Sequence, residues 1–306
     1  MNPPPGHASP RILCIGIPVR DLTFRVPSVP ARGSKTNASH FSEICGGNAL
    51  NAAIGIARLG GRATLCGPMG DPSETTSQYI LDRLAEEGIA TNHLVRMPGL
   101  VTPISAIMID PSGERTIAVF RDPKLWKVQL PGTDRLLQDC SAILTESRCA
   151  EFCTDLCAEA RRRGIPVIVG VDRAMSLRDG LLAASSHLVF SSEALQETAD
   201  IPDDGAALKT IARLTSSFLA GTRGPNGTIW LDEFGDLQET PAFPVRAVDT
   251  LGAGDIFLGA FALAITEGAT IRQALPFASA AAALKCTRFG GAFAAPQRPE
   301  VERLLG

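Results

Sequence analysis

Short β-type runs alternate with amphipathic helical segments along most of the chain, and this alternation restricts the fold more than any other feature. The β-type runs are Arg11 to Ile17, Ala63 to Cys66, Ala142 to Leu144, Val167 to Val171, His187 to Phe190, Ser217 to Ala220 and Thr228 to Leu231. Apolar residues recur at helical spacing over Asn48 to Leu59, Ser77 to Glu87, Glu151 to Arg163, Ala206 to Arg213, Ala253 to Glu267 and Ile271 to Thr287. Strands separated by helices cannot be joined by tight hairpins, so they lie parallel, with the crossover helices covering both faces of the sheet. The pattern predicts an α/β fold with a mostly parallel sheet.

Two stretches break the rhythm. Asp21 to Cys45 and Val101 to Arg121 lack a helical period and contain alternating segments, the second with a Pro111-Ser112-Gly113-Glu114 turn. Neither has a core of its own, so the two are expected to pair into one small sheet over the site, a lid built from segments at about 18–45 and 100–122. Residues 1–10 contain four prolines and no apolar run, and read as a disordered tail before a single domain at 11–306.

Composition narrows the function classes. Of 306 residues 45% are hydrophobic and 20% charged, enough for a large core. A formal charge of -3 with scattered Lys and Arg leaves no footprint for nucleic acid. The uncharged stretches Ile256 to Ile265 and Phe277 to Leu284 fall short of the roughly 18 residues of a membrane span. Most of the eight cysteines sit in apolar runs, as Cys14, Cys66 and Cys286 do, which predicts a reducing, cytoplasmic setting. Cys149, Cys153 and Cys157 follow one another every fourth residue, a line of about 12 Å on a helix that cannot converge on one cluster. His7, His40, His93 and His187 lack zinc-ligand spacing. Gly33-Ser34-Lys35-Thr36 has no upstream glycine to form a P-loop, and Gly16 to Asp21 lacks the later glycines of a dinucleotide fingerprint.

Chemistry concentrates in three places. Asp249-Thr250-Leu251-Gly252-Ala253-Gly254-Asp255 leads directly into an apolar helix. Small residues at a helix N-terminus let backbone N–H groups converge on an anion, and Asp255 beside them could take a proton from a bound hydroxyl. The same residues would also serve as a plain glycine turn with capping aspartates. Cys45-Gly46-Gly47 opens another helix, in which Asn51 offers donors and an acceptor suited to paired sugar hydroxyls, although glycine and asparagine are also ordinary helix-entry residues. Asp21 follows the first strand, at the edge where open parallel sheets bind ligands; it reads either as a hydroxyl ligand or as a surface turn residue.

Together these pieces resemble the ribokinase-like, or PfkB, carbohydrate kinases. The signature Asp-Thr-x-Gly-Ala-Gly-Asp is complete at Asp249 to Asp255, Gly-Gly-x-x-x-Asn stands at Gly46, Gly47 and Asn51, and Thr-x-Gly-x-x-Gly at Thr222, Gly224 and Gly227. The resemblance runs from Arg11 to about Pro296. It implies a three-layer α/β/α core with a small β-sheet lid, and phosphorylation of an alcohol by ATP and Mg2+. It further implies Asp255 as catalytic base, Gly252, Ala253 and Gly254 as anion hole, and Asp21, Gly46, Gly47 and Asn51 as sugar ligands. Thr222, Gly224 and Gly227 would hold the nucleotide, with Ala282 and Cys286 in the stretch lining the adenine pocket. In some members a monovalent cation such as K+ binds at positions matching Asp249 and the Arg288 to Gly291 loop.

Departures from the family pattern bear on the metal. Glu193, implied as an indirect Mg2+ residue, is present, but Phe190 stands where the family often has asparagine. Pro72 replaces a frequent aspartate after Gly67-Pro68-Met69-Gly70-Asp71. Ala283 to Gly291 looks like the branch with ketose and sulfofructose kinases, in which Lys35 and Arg148 would meet an anionic or highly polar end of the substrate; both also read as solvated surface cations. Two other readings stay open: a nucleoside kinase of the same family, with Phe24, Phe41, Phe120 and Trp126 as base platform, and a non-catalytic ATP- or sugar-binding regulator. Exposed lid edges predict a homodimer.

Overall fold

Side chains of β1 (Arg11–Ile15) alternate between two apolar clusters: Ile12 and Cys14 enter one, Leu13 and Ile15 the other, all fully buried. A strand buried on both faces lies in a sheet covered by two layers. The computed structural model describes residues 9–111 and 115–306. Its nine-stranded sheet runs in the order β13 (Leu237–Thr240), β12 (Thr228–Leu231), β11 (Phe218–Thr222), β10 (His187–Ser191), β9 (Val167–Val171), β8 (Ala142–Glu146), β1, β4 (Arg62–Met69), β5 (Ala90–Arg96). From β11 to β5 every neighbour is parallel, and β12 and β13 turn back antiparallel.

The helices sort by cluster. On the face of Ile12 and Cys14 lie α1 (Asn48–Arg58), α2 (Thr75–Glu86), α8 (Ala253–Thr266), α9 (Ile271–Cys286) and α10 (Arg298–Leu305). The opposite face carries α3 (Thr133–Leu137), α4 (Ala150–Arg162), α5 (Gly180–Ala184), α6 (Ser192–Ala199) and α7 (Asp204–Ile211). The small sheet has the order β3 (His40–Gly46), β2 (Val19–Arg25), β6 (Ile104–Ile109), β7 (Arg115–Phe120). Two antiparallel pairs, β2 with β3 and β6 with β7, join through a parallel β2–β6 contact, which unites the two irregular segments.

Chain order fixes where a ligand can enter. From β1 the sheet grows outward through β4 and β5, then the chain returns to β8 on the other side of β1 and grows through β9, β10 and β11. Connections diverge at the C-terminal ends of β1 and β8 and leave a crevice there. α1 and α8 cross close by, because a β-carbon at Gly259 would strike the Ala52 carbonyl. That approach brings the start of α1 against the start of α8.

Several local expectations changed. The edge strands β5 and β13 were not foreseen, since Ala-Thr-Asn-His-Leu-Val-Arg and Leu-Gln-Glu-Thr are half exposed and have no continuous apolar run. The short helices α3, α5, α6 and α10 were missed for the same reason of length. The Pro10 carbonyl accepts a hydrogen bond from the Arg62 N–H at 3.1 Å, so the end of the expected tail belongs to the fold. Residues 1–8 of that tail, and residues 112–114 of the expected turn, lie outside the described residues.

Candidate active site

Gly252 caps α8 with φ 77° and ψ 5°, left-handed values that a residue with a β-carbon rarely adopts. Ala253 N–H bonds back to the Thr250 carbonyl at 3.2 Å, while the N–H groups of Gly254 and Asp255 have no partner among the described residues. Two such donors at the positive end of a 14-residue helix make a cradle that can receive an anion.

Asp255 follows in the first turn, and its Oδ2 accepts a 2.8 Å hydrogen bond from Asn51 Nδ2 at the start of α1. Burial pushes this carboxyl up to about 7, Asn51 pulls it back, and the carboxylates of Glu146 and Asp172 push it further up. The Arg148 guanidinium lowers it by less than these, so Asp255 sits near neutrality between proton acceptor and donor. Glu146 and Asp172, at the ends of β8 and β9, share Arg148: Nε lies 3.0 Å from Glu146 Oε2, and Nη2 pairs with Asp172. Asn48 Nδ2 donates to Asp172 at 3.1 Å.

The cradle separates two cavities. The larger, about 690 Å³, lies under the small sheet and is lined by Thr23, Arg25, Ser42 and Ile107 above and by Asp249 to Leu251 and Phe289 to Gly291 below. Thr23 Oγ1 is buried there with no hydrogen-bond partner among the described residues. Arg25 stacks on Phe289 at 4.7 Å. The smaller, about 90 Å³, runs past Asp255, Gly254, Glu146 and Asp172 to Ser191 and Thr222 at the ends of β10 and β11. Asp21 is buried on β2, and a β-carbon at Gly46 would overlap its carboxylate unless that side chain moved. Burial raises the Asp21 pKa, against the Ser105 hydroxyl and the Arg121 guanidinium.

Comparison with known proteins bears on this geometry. The sequence profile described as "pfkB family carbohydrate kinase" matches residues 9–298. The chain belongs to that family. It is a carbohydrate kinase, a phosphotransferase with an alcohol acceptor. It is 27% identical to a ribokinase of Bacillus subtilis over 297 residues, covering 96% of this chain and 99% of the relative. A fructokinase of Klebsiella pneumoniae is 30% identical over 290 residues, covering 85% and 91%. Among solved structures, a candidate ribokinase from Agrobacterium tumefaciens superposes with TM-score 0.90 at 36% identity, covering 97% of each chain.

Within this pfkB-family chain the structure brings Asp255, Gly252, Ala253, Gly254 and Asn51 together, with Gly46 against Asp21 of β2 and Gly47 at the entry to α1; Asp21, Gly46, Gly47 and Asn51 line neither cavity. Thr222 lines the smaller cavity and donates to the Phe190 carbonyl at 3.1 Å; Gly224 and Gly227 form the turn that follows β11. Ala282 and Cys286 line neither cavity; Cys286 instead accepts the N–H groups of Val248 and Asp249 through its carbonyl. Glu193 is exposed in the first turn of α6, and the Phe190 ring is fully buried in the core. Among the described residues no group of three or more His, Cys, Asp or Glu is arranged to hold a metal.

Other predicted residues are placed differently. Lys35 is exposed in the β2–β3 loop and lines neither cavity. Arg148 is committed to two carboxylates, because a guanidinium among Glu146 and Asp172 is better neutralised by them than held for a substrate anion. Thr23 and Arg25 line the large cavity, so Phe24 between them, with Phe41 opposite it at 5.1 Å, points to the outer face. Phe120 is paired with Ile104 and 57% exposed, and Trp126 stacks on Phe152 in the core. No base platform faces the cavity from these four rings. Glu146, Asp172 and Asn48 were missed, although acidic residues closing parallel strands are a readable signal. The cation expected at Asp249 meets a different arrangement: the buried ammonium of Lys285 lies 2.7 Å from the Asp249 main-chain carbonyl and 3.1 Å from Oδ2.

Proposed function

We propose that the chain transfers the γ-phosphate of ATP to a hydroxyl, primary in the favoured case, of a small sugar or sugar derivative. The observation that carries this is Asp255: a carboxyl poised near neutrality beside two α8 N-terminal amides that have no partner among the described residues. In the reaction Asp255 accepts the hydroxyl proton, the sugar oxygen bonds to the γ-phosphorus, and the bond from phosphorus to the ADP oxygen breaks. The Gly252 to Gly254 segment holds the charge of the transferring group. Asn51 orients Asp255, and Asp21 with the Gly46-Gly47 backbone holds further sugar hydroxyls.

The cavity of about 690 Å³ beneath the small sheet has room for a sugar, with that sheet as the lid that excludes water. ATP phosphates enter along Ser191 and Thr222, with Gly224 and Gly227 shaping the nucleotide turn. Mg2+ would be held mainly by phosphates and water, with Glu193, exposed in the first turn of α6, acting on it indirectly. When bound, Mg2+ neutralises charge on the β- and γ-phosphates. The exposed edge strand β7, with Ile117 49%, Val119 47% and Phe120 57% exposed, supports a homodimer formed through the small sheet, which light scattering checks.

The test is ADP release with Mg-ATP across ketoses, aldoses, sugar acids and nucleosides, beside Asp255→Asn. Turnover of one sugar, lost in the variant, is expected. ATP binding without turnover of any acceptor, or an ATPase rate that no acceptor changes, would favour the regulator.

A further inference from the structure

Lys285 closes α9 and has no exposed surface, a position in which a lysine survives only if its charge is matched. Its ammonium reaches the Asp249 main-chain carbonyl at 2.7 Å and Asp249 Oδ2 at 3.1 Å. The same Oδ2 accepts the N–H groups of Gly290 at 3.2 Å and Gly291 at 3.0 Å, and Oδ1 accepts that of Leu251 at 2.9 Å. Next to it, the Cys286 carbonyl takes the N–H groups of Val248 and Asp249 at 2.8 and 3.1 Å. The end of α9, the 290–291 turn and the approach to Gly252 are thereby tied into one knot around a single positive charge.

We infer that Lys285 is a resident cation of the phosphate cradle, standing where the family resemblance implies an exchangeable monovalent ion. This rests on the kinase reading of the site. An ammonium and K+ have the same charge and similar size, and both seek carbonyl and carboxylate oxygens. With the ammonium on both Asp249 oxygens facing the knot, a second cation there would meet a like charge at close range in a poorly hydrated place. Because Lys285 acts through Asp249 and the Leu251-Gly252 backbone, it is a positioning residue. It holds the turn whose amides face the phosphate, and it adds positive charge behind them. A covalently tethered cation cannot dissociate, so the enzyme needs no potassium.

The experiment compares the full-length enzyme in potassium and in tetramethylammonium at constant ionic strength, which removes general screening as a variable. Melting temperature is read without substrate, and kcat and KM with the acceptor found in the panel. The wild type is expected to melt at the same temperature in both salts and to turn over within about twofold. Lys285→Ala should lose at least about tenfold in kcat with a smaller change in sugar KM, and potassium should restore several-fold and raise its melting temperature. Lys285→Gln, which keeps most of the volume without the charge, serves if the alanine variant does not fold. Potassium activation or stabilisation of the wild type overturns the inference. So does a folded variant that loses activity and is not rescued by potassium, since that marks a merely structural lysine. A panel with no turnover counts against the kinase reading alone, because the melting comparison needs no substrate.

Discussion

Asp249 and Asp255 open and close one seven-residue motif, yet their surroundings drive them to opposite ends of carboxylate behaviour. Burial pushes Asp249 up, but the amides of Gly291 and Leu251 and then the Lys285 ammonium outweigh it and hold the group below its ordinary value. Asp255 has the Asn51 amide and the more distant influence of Arg148 against burial and the carboxylates of Glu146 and Asp172, and rises to about 7. The comparison shows how one turn separates a clamp from a base. A saturated, permanently charged aspartate fixes backbone, and an under-satisfied one keeps the freedom to exchange a proton.

Their contributions to stability also carry opposite signs. Asp249, with its pKa lowered, stabilises the fold above the ordinary carboxylate range, and that support is lost as pH falls through its native value. Asp255, with its pKa raised, contributes stability that is complete below the ordinary value near 3.8 and lost as pH rises through about 7. The apoenzyme therefore carries a cost at neutral pH that the reaction uses.

The largest expected effect is that of Asp255→Asn, which should lower kcat by about 10³-fold while raising the melting temperature at pH 8 relative to wild type. A variant with near-normal turnover would remove Asp255 from the base role and collapse the contrast. Asp249→Asn should act through structure: it leaves the Lys285 ammonium buried without a counter-charge, so the melting temperature should fall by about 5 °C or more and kcat with it. If calorimetry finds that variant as stable as wild type, the clamp role fails. For the wild type, kcat/KM should drop about tenfold per pH unit below about 7, where Asp255 takes up its proton. A profile flat down to pH 5 would show that Asp255 stays ionised in the free enzyme.

Asn51→Ala sharpens the comparison further. Removing the Asn51 hydrogen bond to the Asp255 carboxylate should raise the apparent pKa of that profile and cost about tenfold in kcat/KM at pH 7. An unshifted profile would mean that Asn51 only contacts the sugar. The smallest effect belongs to Lys35→Ala, which should change kcat/KM by less than about twofold for any accepted substrate, given its exposed place in the β2–β3 loop. A selective loss with a sugar acid or other anionic acceptor would bring the loop back to the site.

Much of the architecture could be read along the chain because it rests on local rules. Strand and helix alternation dictates parallel pairing, and two segments without helical period, at Asp21 to Cys45 and Val101 to Arg121, became one sheet. The edge strand β5 escaped because an edge needs no continuous apolar run, and the short helices because a few residues give no period. The glycines and Asp255 were legible for a similar reason: left-handed φ at Gly252 and an acid in a helix's first turn are properties of consecutive residues.

What the tertiary structure alone decided is which charges meet. Glu146, Arg148 and Asp172 come from the ends of neighbouring strands, and their pairing commits an arginine that the sequence offered to substrate. Phe24 differs from Arg25 by one residue and by a whole face, a distinction set by the register of β2 against β3. Lys285 reads as the last turn of an amphipathic helix, and only the packing of α9 beside the Asp249 turn buries its ammonium there. Periodicity and turn chemistry act between neighbours in sequence, so a chain announces them. Electrostatic partnership acts across space at a few ångströms, between residues that only the completed fold brings together.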